Sequence, residues 1–174
     1  MLTAKISGAI LIITATALLG FLYSQEMKKR VENLYEIRKI LAMLQGEMKY
    51  HKVPVAEVFR GMETHVSVEF QEFFIRSAEK LEESFGKTIQ EIWLECCNLF
   101  LKDISLWKED RLEFQRLGEI LGYLDVATQS AGLEVYGQKL GLRIQQCSQE
   151  LESRQRLIRC LGIAGGILVV IFFI

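Results

Sequence analysis

LYEIRKILAMLQGEM (34–48) and LEVYGQKLGLRIQQCSQEL (133–151) are the two stretches that decide the fold. In the first, Leu34, Ile37, Leu41, Leu44 and Met48 recur at spacings of three and four. In the second, Leu133, Tyr136, Leu140, Ile144, Cys147 and Leu151 do the same. Apolar residues at that spacing line one narrow stripe of an α-helix, the pattern of a coiled-coil seam. Each seam is continuous with an apolar end of the chain. The simplest arrangement pairs the two long helices antiparallel, as a stalk.

Four shorter helices fit between these arms. Pro54, the single proline, suits the first turn of a helix over 54–63, where its missing N–H costs nothing. Ser67 is positioned to cap a helix running to Phe85, with Phe70, Phe74, Ala78 and Leu81 on one face and Gly86 ending it. Thr88-Ile89-Gln90-Glu91 reads as a capping box that opens a helix through Leu101. A further helix over 105–123 buries Phe114, Leu117, Leu121 and Leu124, and Asp125 caps the last long helix. Short connections imply antiparallel neighbours, so the expected fold is all-α, an antiparallel bundle of about six helices. The Glu, Lys, Arg and Leu content of the middle of the chain favours helix over continuous β structure.

The ends read differently. Ile6 to Tyr23 carries no charge and would make about 27 Å of helix, close to the thickness of a hydrocarbon core. Ala15-Thr16-Ala17 fits a signal-peptidase site but lies inside the apolar run, where a cleavage site should follow it, so an uncleaved anchor is expected. Cys160 to Ile174 gives about 22 Å, and starting at Leu157 lengthens it if Arg159 snorkels. The expectation is therefore a transmembrane anchor over 1–24, a helical domain over 25–156 and a second anchor over 157–174. Lys28, Lys29, Arg30 and Arg38 flank the first span, and Arg154, Arg156 and Arg159 the second. The positive-inside bias then makes the protein a two-pass cell-membrane protein with a cytoplasmic central domain. Gly162 and Gly166, four apart, form a GxxxG pattern that allows close helix packing in the second span.

The sequence carries little chemistry. Its 174 residues leave room for one domain, and a net charge of −1 gives no general reason to expect nucleic-acid binding. Cys96, Cys97, Cys147 and Cys160 show no C-x-x-C spacing, and His51 and His65 lie far from them, so no metal site is expected. Vicinal Cys96-Cys97 reads as buried small apolar residues sooner than as a redox switch. Gly86-Lys87-Thr88 resembles the end of a P-loop, but Leu81 stands where the earlier glycine is required and the preceding segment is helical. No Ser/His/Asp or Cys/His set follows from spacing, and neither catalysis nor a cofactor is expected. The segment from Glu57 to Glu95 holds nine acidic residues against four basic ones. Glu72, Glu79 and Glu83 follow one stripe opposite the Phe70–Leu81 face. Such a stripe is either a solvated face or a docking surface.

Leu44-x-x-Glu47-Met48-x-Tyr50 followed by Pro54-Val55-x-x-Val58 is similar to an L-x-x-E-I-x-Y and T-P-L stretch of the stage III sporulation protein AB family. Leu117-Gly118-x-x-Leu121-Gly122-x-x-Asp125, with Gln129 beyond, resembles that family's G-x-x-L-G-x-x-D-x-x-x-Q segment. The glycine-bearing apolar end after Arg159 also fits. Val53 stands where the family has threonine, so a hydroxyl able to cap the second helix is missing.

The resemblance implies a part in machinery assembled between mother cell and forespore, on the mother-cell side of the forespore membrane. It also implies a domain similar to the inner-membrane platform proteins of type II secretion and type IV pilus systems. The implied function is a non-enzymatic membrane platform that couples a cytoplasmic secretion-type ATPase to other membrane components of the complex. Homo-oligomerisation is left open, and Glu72, Glu79 and Glu83 are the candidate docking residues. The competing reading is a membrane-anchored regulatory or sensor module whose helical domain binds a soluble protein or a small ligand.

Overall fold

The computed structural model describes the backbone of residues 2–50, 54–83, 86–123 and 125–173. It describes the side chains of 14, 18–47, 54–83, 86–123, 125–158, 160–162 and 164–165. These residues form α1 (Leu2–Tyr50), α2 (Val55–Met62), α3 (Val68–Glu83), α4 (Ile89–Phe100), α5 (Lys108–Leu121) and α6 (Val126–Phe173). The all-α bundle with two long helices around four short ones is the one expected.

The chain divides into two compact units, Glu32–Ile144 and the pair of segments 1–31 and 145–174. Within the first, α2, α3, α4 and α5 pack as successive neighbours, and α5 runs antiparallel to the start of α6. Ile120 lies against Gly132, and Asp110 accepts a hydrogen bond from Arg143 at 3.2 Å. Both predicted seams face inward: Leu34, Ile37, Leu41 and Leu44 are buried, as are Leu133, Tyr136, Leu140 and Ile144. Leu41 reaches Gly137, where a Cβ would stand 3.1 Å from its Cδ2. Met48 and Leu124 lie outside the described side chains. In the second unit α1 and α6 are also antiparallel, with Gly20 opposite Ile158 and the Arg154 guanidinium 4.8 Å from the centre of the Tyr23 ring.

The centre of the first unit is aromatic. Trp93 of α4 is fully buried, with ring centres at 4.8 Å from Phe73, 4.9 Å from Phe114 and 5.5 Å from Phe59. Its indole N–H donates to the Phe114 carbonyl at 2.9 Å, so the one polar atom of the cluster is satisfied. Gly118 lies flat on the indole. A Cβ there would stand 2.5 Å from Trp93 Cδ1, closer than packed atoms allow.

Helix ends follow local chemistry in two of the predicted cases and depart from it in others. Thr88 Oγ accepts from the Glu91 N–H at 3.2 Å, and the Glu91 carboxylate accepts from the Thr88 N–H at 2.8 Å, the expected capping box. Asp125 accepts from the Thr128 N–H at 2.9 Å and caps α6. Gly86 has φ +98°, a left-handed conformation that glycine adopts without strain. Pro54 sits at the N-cap of α2, one residue before the helix, without a side-chain cap. Ser67 does not cap α3: its buried hydroxyl has no partner among the described residues. Instead its N–H donates to Glu36 of α1 at 2.7 Å. α5 begins at Lys108, later than the expected Ser105, where the Asp110 carboxylate accepts the Trp107 N–H at 3.1 Å.

The terminal spans require correction. Among the described residues no helix is long and apolar enough to cross a membrane. Within α1, Leu18, Leu19, Phe21 and Leu22 are exposed, and Gln25, Glu26 and Lys28 follow them. The remaining side chains of 1–24 and 157–174 lie outside the described residues. The two anchors are withdrawn, and with them the two-pass cell-membrane topology and the cytoplasmic placement derived from it.

Two outcomes are expected of stability measurements. Gly118→Ala, which pushes against Trp93, lowers stability by about 1–3 kcal/mol. Gly141→Ala, on α6 with nothing within 4 Å of the new methyl, raises it by roughly 0.5–1 kcal/mol. Urea unfolding followed by tryptophan fluorescence checks both, and a neutral Gly118→Ala would remove the argument for the close approach.

The caps contribute to the acid limb. Asp125 is held below the usual carboxylate range by the Thr128 hydroxyl and then its N–H, and Glu91 by the Thr88 N–H and then its hydroxyl. A carboxyl depressed in the folded state adds stability above its unfolded pKa and loses it as pH falls through the folded value. Their contribution to stability is therefore level above about pH 5 and falls below about pH 4. The double variant Asp125→Asn/Glu91→Gln, which keeps capping groups that do not titrate, loses less over that interval. Equal acid limbs for parent and variant would show the caps are not responsible.

Candidate protein-docking surface

α3 is divided lengthwise by its packing. Phe70, Phe73, Phe74, Ser77 and Ala78 are buried against the aromatic centre, and the Ser77 hydroxyl donates to the Phe73 carbonyl at 2.7 Å. The opposite side carries Glu69, Glu72, Arg76, Glu79 and Glu83. Glu72 and Glu79 share one cation: Arg76 donates to each at 3.0 Å, and the two carboxylates raise its pKa, Glu72 first. Glu83, at the last position of the helix, is exposed and has no ion pair among the described residues. The stripe read from spacing is thus a carboxylate–guanidinium–carboxylate run followed by one free carboxylate.

The surrounding charges sort the same way. Arg60 of α2 grips Glu82 with two donors, at 2.6 and 3.3 Å. Glu95 of α4 takes both Lys80 and Lys87, which hold it below the usual carboxylate range, Lys80 contributing most. Glu91 is engaged in its cap. What remains without an ion pair among the described residues is Glu57 and Glu63 beside α2 with Glu69 and Glu83 at the two ends of α3. The charge excess counted along the sequence therefore survives folding as carboxylates on α2 and α3. The cations of that segment are spent on the other acids. Spacing alone had no signal for the Arg60–Glu82 clamp, whose partners are far apart in the chain.

The other sequence candidates do not join this surface. Gly162 meets open space, with nothing within 4 Å of a Cβ there, and Gly166 lies outside the described side chains. The packing role expected of the two was tied to a span the described residues do not form. Cys96 and Cys97 are buried, and burial pushes both thiols up, which leaves them unreactive at neutral pH. His65 is exposed, with Nδ1 3.1 Å from the Gly61 carbonyl oxygen. No group of three or more His, Cys, Asp or Glu able to hold a metal ion occurs among the described residues. Gly86-Lys87-Thr88 serves as a turn and a cap. A groove of about 470 Å³ between α5 and α6 is lined by Ile120, Tyr123, Val135 and Tyr136 with Glu113 and Lys139. It is open to solvent, unlike the enclosed pockets that hold small ligands.

The motif that carries the family resemblance is a folding device. Gly118 admits Trp93, and Gly122 closes α5 by donating to the Gly118 carbonyl at 3.1 Å. Asp125 caps α6, and the buried Gln129 side chain donates to the Leu121 carbonyl at 2.9 Å. Gly122, Asp125 and Gln129 act on the α5–α6 corner and Gly118 on the α4–α5 contact, and none of them is on the acidic face.

A family model described as stage III sporulation protein AB matches residues 5–174. The chain is 20% identical over 167 residues to stage III sporulation protein AB of Bacillus subtilis (strain 168), covering 96% of this chain and 97% of that one. A solved structure of stage III sporulation protein AB (SpoIIIAB) superposes with a TM-score of 0.66 at 17% identity, over 71% of this chain and 97% of that one. That likeness is one of fold, and the match over nearly the whole sequence carries more. The chain belongs to the stage III sporulation protein AB family.

Proposed function

We propose that the chain is a non-enzymatic helical scaffold of a sporulation complex that docks a basic partner, a cytoplasmic secretion-type ATPase, on the outer face of α2 and α3. Family membership supports involvement in a sporulation-related membrane complex. Anchoring through terminal spans is not part of this role, because no described helix is long and apolar enough to provide them.

One observation carries the docking surface. Glu57, Glu63, Glu69 and Glu83 make no ion pair among the described residues, on a side of the bundle whose opposite side is fixed by the buried phenylalanines of α3. A rigid helix with like charges facing solvent raises the encounter rate with a basic surface and selects against acidic ones. Arg76 sharpens the geometry by holding Glu72 and Glu79 on either side of it, so that the run presents its carboxylates in fixed positions.

Changing Glu72, Glu79 and Glu83 together to lysine tests this. Exposed pairs contribute little to stability, so the melting temperature should stay within a few degrees of the parent. Capture of the ATPase at low salt should fall roughly tenfold. The deficit should shrink as the Debye length drops below about 8 Å in higher salt. Arg76→Ala, which frees two carboxylates, should strengthen capture under the same conditions. If the reversed protein captures the ATPase as well as the parent does, the face is only solvated.

A further inference from the structure

The outward face of α6 is unlike that of the other long helix. Opposite the buried Leu133, Tyr136 and Leu140 stand Ala131, Val135, Gln138 and Leu142, at successive spacings of four, three and four. All are exposed, Val135 at 52% and Leu142 at 63%. No charged residue interrupts this stripe. In the same unit the outer face of α1 carries Glu32, Arg38 and Lys39. A helix face turned away from its own core is normally charged. An uncharged stripe at seven-residue periodicity with two exposed branched aliphatics has the composition of a helix–helix contact.

The charges nearest the stripe identify what it meets. Glu134 flanks it on one side and Lys139 on the other. Both are exposed, and neither has an ion pair among the described residues. In a parallel, in-register pair of helices a flanking residue on one copy faces the residue five positions later on the other. Five residues after Glu134 is Lys139. An antiparallel pairing about the middle of the stripe would set Glu134 opposite Gly141 and Lys139 opposite Gly132, and would make neither ion pair.

We propose that this face binds a second copy of the chain, through parallel pairing of the two α6 helices around Val135 and Leu142, with Glu134 of each copy against Lys139 of the other. The stripe is short, well under the area of a standard interface, so association is weak and depends on concentration. It is separate from the acidic face of α2 and α3 and does not depend on what docks there.

Sedimentation equilibrium of the full chain tests the pairing. The expected result is a monomer–dimer equilibrium that Leu142→Glu abolishes without change in melting temperature, since Leu142 is already exposed. Glu134→Lys and Lys139→Glu should each raise the dissociation constant roughly fivefold to tenfold. The double variant carrying both should restore it, and an equimolar mixture of the two single variants should form heterodimers in preference to either homodimer. Ala131→Cys in a Cys160→Ser background should cross-link to its own copy on mild oxidation, because a parallel pairing brings the two positions together. An antiparallel one holds them about 16 Å apart along the axis, and the other native cysteines are buried. A mass that stays monomeric at every concentration overturns the proposal. So does a dimer that ignores the charge reversals, survives Leu142→Glu or fails to cross-link at position 131.

Discussion

Trp93 is fully buried among Phe59, Phe73, Phe74 and Phe114, and it is the contact with Gly118 that lets it in. A side chain at Gly118 would occupy the space the indole fills, with its Cβ 2.5 Å from Trp93 Cδ1. α5 presents bare backbone there, and the helix can then approach α4 closely enough for Phe114 to accept the indole N–H through its carbonyl. All four short helices meet at this residue: α4 supplies it, α5 supplies the bare backbone and the acceptor, α3 supplies Phe73 and Phe74, and α2 supplies Phe59. Packing at this density makes the positions of these helices mutually dependent, because a shift in one opens a gap or a clash in the others.

The polar groups that survive inside the fold lie around that centre and set its corners. Asp110, largely buried, accepts the Trp107 N–H with one oxygen and Arg143 of α6 with the other, so it fixes the start of α5 and the approach of α6 together. Gln129 closes the other end by donating to the Leu121 carbonyl, left open where α5 stops. Ser67 is tied to Glu36 of α1 through its N–H. The bonds from Arg143 to Asp110 and from Ser67 to Glu36 join segments far apart in the chain, whereas those at Trp107 and Gln129 are local. Each would leave an unsatisfied group near the core if it were removed, which is costlier than the bond itself.

This division of labour explains why the motif shared with the family says little about partners. Gly118 acts on the α4–α5 contact, and Gly122, Asp125 and Gln129 act on the α5–α6 corner. The residues available to partners are on surfaces that the core does not constrain, the carboxylates of α2 and α3 and the uncharged outer stripe of α6. Folding also changes the meaning of charge counted along the chain. Arg60, Arg76, Lys80 and Lys87 are taken by Glu82, Glu72, Glu79 and Glu95, and the surplus ends up on Glu57, Glu63, Glu69 and Glu83.

The amino-acid pattern determined by itself whatever is decided within a few residues. The two seams at Leu34–Leu44 and Leu133–Ile144 follow from helical periodicity, and the Thr88 and Asp125 caps need only a side chain reaching three residues ahead. The buried phenylalanines of α3 follow from the same period. Tertiary structure alone decided that Ser67 leaves its capping to a carboxylate on another helix. It also decided that Arg60 of α2 clamps Glu82 of α3, and that Asp110 of α5 meets Arg143 of α6. The sequence pointed to a span at each end because hydropathy counts apolar residues in order along the chain. Among the described residues no helix is long and apolar enough to cross a membrane. The physical reason is common to these cases: capping, periodicity and turns are short-range, whereas which donor reaches which acceptor, and which cation reaches which acid, depends on segments that only folding brings within a few ångströms.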